Sequence, residues 1–323
     1  MFLDRDATVD KACAIIETAR QRDIALLVFP EAFVPAYPEW VWTVPAGERK
    51  LLDALYGELL ANAVDVPGAA VARLCDAARR ASMHVVMGVN ERNVEASGAS
   101  LYNTILFIDA DGAVIGRHRK LMATGGERLV WTPGDGRSLV AYDTKIGRLG
   151  GLICWENYMP LARYAMYAAG TQIYVAPTWD HGEPWLSTLR HIAREGRAFV
   201  VGCSQALRVR DIPARTGLLE RYKPDREWIN PGESAIVDPA GKVIAGPLTA
   251  EEGLIAADVD LAATRSPRWI FDAAGNYARP DIFRLTINRA PQTTAAVRDD
   301  AAEGGAAAAP GRQTHPVPHA EID

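Results

Sequence analysis

The stretch RLGGLICWENYMPLARYAMYAAG, residues 148–170, carries the signals of a strand, a turn and a helix in one continuous segment. The apolar run from Leu149 to Ile153 is typical of a buried strand. Pro160 then opens a helical pattern, because proline fits the first turn of a helix. The segment therefore predicts a strand–turn–helix unit with Cys154 at the point where the strand ends.

Cys154 is the first candidate for chemistry. Backbone N–H groups at a junction between strand and helix favour negative charge, so they would lower the pKa of a thiol and supply donors to an oxyanion. The alternative is that Cys154 packs as a small buried hydrophobe, which is the usual role of a free cysteine. The polar residues that directly follow it favour the functional interpretation.

Composition excludes several classes of function. The 323 residues carry a net charge of −5 and no long basic run, so neither nucleic-acid binding nor membrane-surface binding has an electrostatic basis. The four cysteines are widely spaced and contain no C-x-x-C pair, which argues against a zinc site. The chain lacks an apolar leader and a membrane-spanning run, so we expect a cytoplasmic protein with reduced thiols.

The order of predicted elements indicates an α/β fold. Short, continuously apolar strands alternate with helical patterns, and such strands need cover on both faces. Hairpin signals over residues 101–119 and 234–247 predict mixed sheets. GLIAADVD, residues 253–260, is predicted to be the last strand. We predict one domain over residues 1–290 and a disordered tail, rich in Ala, Gly and Pro, over residues 291–323.

Two more candidates for chemistry stand where predicted strands end. Glu31 follows the apolar run IALLVF, and partial desolvation there would raise its pKa toward the range of a general base. Lys120 ends the first hairpin and can supply positive charge to a developing anion. Each could instead be a solvated side chain. With Cys154 they would place a base, a cation and a nucleophile at strand ends, a combination that suits acyl-transfer hydrolysis.

The neighbourhood of Lys120 offers a second carboxylate, and competing motifs are weaker. Glu127 lies close enough to pair with Lys120, although Arg128 or water are alternative partners. GCSQA, residues 202–206, is similar to a serine elbow, but its last glycine is replaced by Ala206 and no helix pattern follows. The sequence contains no H-E-x-x-H motif, P-loop or dinucleotide fingerprint.

Three segments resemble the nitrilase superfamily, and within it the true nitrilases. These segments are FPEAFVPAYPEW around Glu31, HRKLMATGGERLVW around Lys120 and GGLICWENYMPLARYAMY around Cys154. The resemblance covers residues 2–289 in the family's order. It implies a Glu-Lys-Cys triad at these positions, with Glu127 as the second glutamate. It also implies a four-layer α-β-β-α sandwich, here without the usual first strand, that assembles as a homodimer or a larger homo-oligomer.

The same resemblance implies hydrolysis of an organic nitrile to a carboxylic acid and ammonia, through a thioimidate and a thioester on Cys154. The Trp155 backbone N–H would help to stabilise the anion. Glu156 would act as a brace that supports the catalytic residues without being a catalyst itself. No metal or cofactor is expected, because side chains can perform every proton transfer. The alternatives are an amidase with the same triad and a catalytically idle scaffold. Four residues near the triad motifs are expected to line the pocket: Tyr37, Thr124, Trp155 and Trp179.

Overall fold

The N-terminal half of the chain builds the first sheet in the computed structural model, which describes residues 1–291. Its strands stand in the order β1-β2-β3-β4. Strands β1 and β2 are parallel, whereas β3 runs antiparallel to both β2 and β4, so the hairpin predicted over residues 101–119 is confirmed. The strands are β1 Leu26–Val28, β2 His84–Arg92, β3 Leu101–Ile108 and β4 Val114–Arg119.

The second sheet follows in the C-terminal half and has the order β11-β10-β8-β7-β6-β5, with β9 paired to β10. Strands β6, β7 and β8 are parallel, and the outer pairs are antiparallel, which confirms the predicted mixed sheet and the second hairpin. The strands are β5 Tyr142–Thr144, β6 Gly147–Gly151, β7 Ile173–Thr178, β8 Phe199–Ser204, β9 Ala206–Arg208, β10 Trp228–Val237 and β11 Val243–Thr249.

Helices cover the outer face of each sheet. Helices α1 and α3 pack on the first sheet, α4 and α5 pack on the second, and the two sheets face each other across a third core. The predicted four-layer α-β-β-α arrangement is therefore confirmed. The helices are α1 Arg5–Arg20, α2 Arg49–Ala61, α3 Ala69–Ala81, α4 Pro160–Ala168 and α5 Glu183–Gly196.

Strand β2 shows why the apolar runs are continuous. Val85, Met87 and Val89 point into the core shared with the helices, whereas Val86 points into the core between the sheets. Successive side chains of a strand point to opposite faces, so a strand that is covered on both sides needs apolar residues at every position. The sandwich thus follows from the absence of polar alternation.

The outer edge of β1 is an edge of the first sheet, because among the described residues β1 pairs only with β2. The prediction that the usual first strand is missing beside it stays a prediction. The prediction of a last strand at residues 253–260 is wrong, because these residues form no ladder. A cavity of about 1050 Å³ is lined both by this segment and by β1. Within residues 1–291, neither the outer side of β1 nor the segment 253–260 has a neighbouring strand to bond its backbone.

The remaining expectations on organisation concern the chain ends and the membrane. Residues 292–323 lie outside the described residues, so the tail predicted over 291–323 and its boundary stay predictions. In the part of the chain that the structure describes, every helix is too short or too polar to cross a bilayer.

The close approach of β2 to the turn that carries Glu31 generates a stability prediction. A Cβ added at Gly88 would collide with the Pro30 carbonyl oxygen and the Ala32 nitrogen, which are backbone atoms that cannot swing away. We expect Gly88→Ala to lower the free energy of unfolding by about 1–3 kcal/mol, as overpacking does. Urea denaturation measures this change.

Gly57 is the matched control, because a Cβ there meets nothing within 4 Å on the exposed side of α2. We expect Gly57→Ala to raise the free energy of unfolding by about 0.5–1 kcal/mol, since alanine has the higher helix propensity. Similar effects of the two substitutions would contradict the role given to Gly88.

Candidate active site

The three predicted catalytic residues each follow the C-terminal end of a strand. Glu31 comes after β1, Lys120 comes directly after β4, and Cys154 comes after β6. All three are buried, with exposed fractions of 0%, 1% and 4% respectively. The structure brings them together in one place, where the charges of Glu31 and Lys120 act on the sulfur of Cys154.

Lys120 is held between two buried carboxylates. Its Nζ donates hydrogen bonds to Oε1 of Glu31 and to Oε2 of Glu127, both at 2.7 Å. Burial alone would lower the pKa of Lys120, but the negative charges of Glu31 and Glu127 raise it above its usual value. Lys120 is therefore a cation at neutral pH. The sequence left Lys120, Arg128 or water as partners of Glu127, and in the structure Glu127 pairs with Lys120.

Glu31 has the environment that the sequence predicts for a general base. Burial raises the pKa of its carboxyl group, while the charge of Lys120 opposes that rise. Its Oε1 also accepts a hydrogen bond from Nδ2 of Asn103 at 2.7 Å, and its Oε2 accepts one from the backbone N–H of Trp179 at 2.8 Å. These donors hold both oxygens in a single orientation.

The turn at Cys154 has a strained backbone. Cys154 has a φ of 51°, in the left-handed region that side chains other than glycine rarely adopt, and it opens a short 3-10 helix that ends at Tyr158. Nδ2 of Asn157 donates to the carbonyl oxygens of Leu152 at 3.1 Å and of Cys154 at 2.8 Å. Tyr174 Oη donates to Oδ1 of Asn157 at 2.8 Å and so fixes the amide.

The expected lowering of the thiol pKa is wrong. Burial raises the pKa of Cys154, and the charge of Glu31 raises it further, against the opposing effect of Lys120. The helix that begins at Cys154 has only five residues, so its dipole is too small to offset desolvation. At neutral pH the sulfur is therefore a thiol that requires a base to ionise.

Glu156 ties the lysine loop to the cysteine loop, as the predicted brace would. Its Oε1 accepts from the backbone N–H of Leu121 at 2.7 Å, and its Oε2 accepts from that of Ile153 at 2.8 Å. His118 Nε2 lies 2.9 Å and 3.1 Å from the two oxygens. Leu121 and Ile153 adjoin Lys120 and Cys154 in the chain, so this one carboxylate sets the spacing of the two loops.

The residues expected in the pocket wall surround the charged cluster. Tyr37 Oη donates to Oε1 of Glu127 at 2.6 Å, and its ring stacks on Trp179 at a centroid distance of 4.3 Å. The backbone N–H of Thr124 donates to Oε2 of Glu127 at 2.7 Å. Tyr37 and Thr124 therefore hold Glu127 in place, which sequence reasoning did not foresee. Their contact with a substrate stays a prediction.

Trp155 stands at the exposed side of the site. Half of its surface is exposed, at 50%, and its Nε1 donates to Oδ2 of Asp180 at 2.8 Å. The part assigned to its backbone N–H in anion stabilisation also stays a prediction.

Two residues that sequence reasoning missed complete the cluster. Asn103 lies on β3 and bonds Glu31, and Thr178 ends β7 beside Cys154. Both are completely buried. The available signal was a polar side chain inside, or at the end of, an otherwise apolar strand, as in LYNTILFID and TQIYVAPT.

The side chains of the site combine three chemical functions. Across residues 1–291, His, Cys, Asp and Glu form no group of three or more that could hold a metal ion. Cys154 is one of four free cysteines. A thiol, a carboxylate of raised pKa and a buried ammonium together can perform nucleophilic attack, proton transfer and anion stabilisation.

Removal of the ammonium should destabilise the fold in a manner that depends on pH. In Lys120→Met, Glu31 and Glu127 lack the cation between them, so the pKa of Glu31 in the folded state rises further above its unfolded value. Such a carboxyl weakens the fold only when pH exceeds the unfolded pKa. We expect a loss of about 3–5 kcal/mol near pH 8 and a smaller loss near pH 5, measured by denaturant unfolding.

Lys145→Met is the control, because the Lys145 side chain is 76% exposed and pairs with Asp111 at the surface. Its effect should stay below about 1 kcal/mol at both pH values. If Lys120→Met lost the same stability at pH 5 and pH 8, the pairing of its ammonium with buried carboxylates would not be what stabilises the folded state.

Comparison with known proteins places the chain in a family. The family model for carbon-nitrogen hydrolases matches residues 1–268. The chain is 40% identical over 299 residues to Nitrilase 1 of Arabidopsis thaliana, and this match covers 90% of this chain and 85% of that protein. It is 40% identical over 302 residues to the aliphatic nitrilase of Sinorhizobium fredii, and this match covers 91% of this chain and 94% of that protein.

Solved structures share the fold at lower identity. The NitFhit protein of C. elegans has a TM-score of 0.68 at 21% identity, covering 91% of this chain and 66% of that one. A carbon-nitrogen hydrolase from Helicobacter pylori has a TM-score of 0.66 at 19% identity, covering 87% of this chain and 92% of that one. With the family match over most of the chain, the protein belongs to the carbon-nitrogen hydrolase superfamily and, within it, to the nitrilases.

Proposed function

We propose that this protein hydrolyses an organic nitrile to the corresponding carboxylic acid and ammonia. The observation that carries the proposal is the buried Lys120 ammonium, which lies between Glu31 and Glu127 and whose charge acts on the sulfur of Cys154. The identity to two nitrilases over most of the chain supports the nitrile as the substrate class.

The first step forms a carbon–sulfur bond. Glu31 takes the thiol proton as Sγ of Cys154 attacks the nitrile carbon, because the raised pKa of the thiol leaves it protonated at neutral pH. One bond of the carbon–nitrogen triple bond breaks, and the nitrogen accepts the proton beside Lys120. The product of this step is a thioimidate.

The second half of the reaction releases both products. Glu31 activates a water that adds to the thioimidate carbon, the carbon–nitrogen bond breaks, ammonia leaves, and a thioester remains. A second water attacks the thioester carbon, the carbon–sulfur bond breaks, and the acid leaves with the thiol restored. Lys120 and the Trp155 backbone N–H stabilise the tetrahedral anions, each contributing about 3–4 kcal/mol by analogy with oxyanion-hole donors.

Glu127 positions the cation in this scheme. Its two oxygens accept hydrogen bonds from Lys120, Tyr37 and the Thr124 backbone, so it has no free orientation. It keeps the ammonium aimed at the space that Glu31 and Cys154 share. It also keeps Lys120 protonated, since its charge raises the pKa of the amine.

The amidase alternative uses the same residues on a carbonyl carbon, and the identity to nitrilases disfavours it. The idle scaffold is disfavoured by the charged cluster itself. A buried ammonium with two carboxylates loses hydration, and an apolar core of the same volume would often be as stable. A chain with no chemistry to perform has little reason to retain such a cluster.

Two expectations from the sequence accompany the proposal. We propose a homodimer or a larger homo-oligomer, which light scattering of the purified chain would test. We also propose a cytoplasmic location. Both are independent of the chemistry, so the failure of either leaves the reaction scheme intact.

The decisive assay is ammonia release from aliphatic, aryl and arylacetonitriles, each compared with the matching amide. We expect at least one nitrile to be hydrolysed with a kcat/KM well above that of its amide, with the acid as product. If amides were hydrolysed far faster than every nitrile, the amidase alternative would replace the proposal. If folded protein turned over neither class, the idle scaffold would be supported.

Substitution of the nucleophile supplies a second test. Cys154→Ala should lower turnover about a thousandfold or more while retaining the unfolding midpoint, because one small buried side chain replaces another. Cys75→Ala is the matched control, since Cys75 is a half-buried free cysteine on α3, and it should keep its activity. Activity in Cys154→Ala would move the nucleophile elsewhere.

A further inference from the structure

Trp42 is a half-exposed side chain that bonds directly to the buried cluster. Its exposed fraction is 50%, and it ends the 3-10 helix Glu39–Trp42. Its indole Nε1 donates a hydrogen bond to Oη of Tyr37 at 3.0 Å. Tyr37 in turn bonds Glu127, so this indole connects the surface of the molecule to the second carboxylate of the site. Trp42 takes no part in the proposed reaction steps.

The bonds from Trp42 inward have a single possible direction. An indole N–H can only donate, so Oη of Tyr37 accepts from it. The one phenol hydrogen then goes to Oε1 of Glu127 at 2.6 Å. Burial and the charges of Glu127 and Glu31 raise the pKa of Tyr37 well above its usual value, so this hydrogen is retained. Oε2 of Glu127 accepts from Nζ of Lys120 at 2.7 Å, which completes a chain of hydrogen bonds from the indole to the ammonium.

Close packing of two short helices holds the indole against the loop that carries Glu127. The helix that ends at Trp42 contacts the 3-10 helix Gly125–Leu129. A Cβ added at Gly125 would stand 3.0 Å from the Trp42 ring, and one added at Gly126 would stand 2.6 Å from the carbonyl oxygen of Val41. The two glycines therefore permit a close approach, and the indole lies directly on this loop.

The indole contributes to the bond between Tyr37 and Glu127. Hydrogen bonds in a chain polarise one another, by roughly 10–30% per bond. Glu127 is buried and depends on its donors. Tyr37 supplies one of them, beside Lys120 and the Thr124 backbone. Without the indole N–H, the phenol would bond Glu127 less strongly, and the carboxylate would hold the ammonium less firmly.

We propose that Trp42 is a positioning residue for the reaction, because its indole N–H fixes the Tyr37 hydroxyl, which in turn holds Glu127 and the Lys120 ammonium in place. This inference rests on the proposed function, in which Lys120 stabilises the anions formed on Cys154. Trp42 keeps its own proton throughout and acts on the reaction through Tyr37.

A packing role would depend on the indole ring instead of its N–H. The ring lies on Gly125, so a smaller side chain at position 42 could loosen the loop without any part for Tyr37. Such an effect would be the same whether or not residue 37 carries a hydroxyl. A positioning role through Tyr37 disappears when that hydroxyl is removed. A double-mutant cycle therefore separates the two roles.

The experiment compares the wild type, Trp42→Phe, Tyr37→Phe and the double variant in the full chain, with the nitrile that is hydrolysed fastest. Trp42→Phe should lower kcat about threefold to tenfold with little change in KM, since a neutral hydrogen bond contributes a factor of this size. In the Tyr37→Phe background the same substitution should change kcat by less than about twofold, because the acceptor is gone.

Trp269→Phe is the matched control, because Trp269 is 79% exposed and lies in the short helix Ser266–Trp269. It should keep kcat within about twofold of the wild type. The proposal is overturned if Trp42→Phe has the kcat of the wild type. It is also overturned if Trp42→Phe lowers kcat by the same factor with and without the Tyr37 hydroxyl. Trp42→Leu, which also lacks a donor, replaces the Phe variant if circular dichroism shows that the latter does not fold.

Urea unfolding of the same four proteins supplies a readout that needs no substrate. Trp42→Phe should lower the unfolding midpoint clearly more in the wild type than in Tyr37→Phe. If the wild type hydrolyses no nitrile while the midpoints show this coupling, the reaction assignment fails and the positioning of Tyr37 by Trp42 is supported. If nitriles are hydrolysed and the two residues are not coupled in kcat, the reaction assignment stands and the positioning role is wrong.

Discussion

The ammonium of Lys120, buried between Glu31 and Glu127, is the interaction on which the rest of the structure depends. Charges removed from water lose several kcal/mol of hydration each, and only short hydrogen bonds to every partner offset that loss. The site meets this requirement because both carboxylates are saturated. Donors to them come from Lys120, Asn103, Tyr37 and the backbones of Thr124 and Trp179. The surrounding loops are therefore constrained to deliver these donors.

The sandwich supplies the rigidity that such a cluster needs. Glu31, Lys120 and Cys154 follow strand ends instead of standing within long loops, so the two sheets hold their backbones in position. Glu156 then bonds the backbone on both sides of the cleft, and Asn157 pins the left-handed turn at Cys154. The charge pair, the brace and the strained turn form one connected network.

Local patterns predicted the layers well and failed where partners are distant. Val85 and Val86 of β2 are both apolar and point to opposite faces of the sheet. Both faces therefore need cover, and the four layers follow from this. Residues 253–260 are just as apolar, yet they form no strand, because a strand also needs a neighbour to bond. The pKa direction of Cys154 failed for a related reason, since burial is a property of the whole fold.

The sequence by itself determined which residue types stand at the ends of strands, because a few consecutive residues are enough to indicate a strand end or a helix start. Only the tertiary structure decided their partners. Asn103 bonds Glu31 across 72 residues, and Tyr37 bonds Glu127 across 90. Hydrogen bonds and charge pairs form over about 3 Å in space, whatever the separation along the chain. The choice of Lys120 as the partner of Glu127 therefore needed the packed sheets.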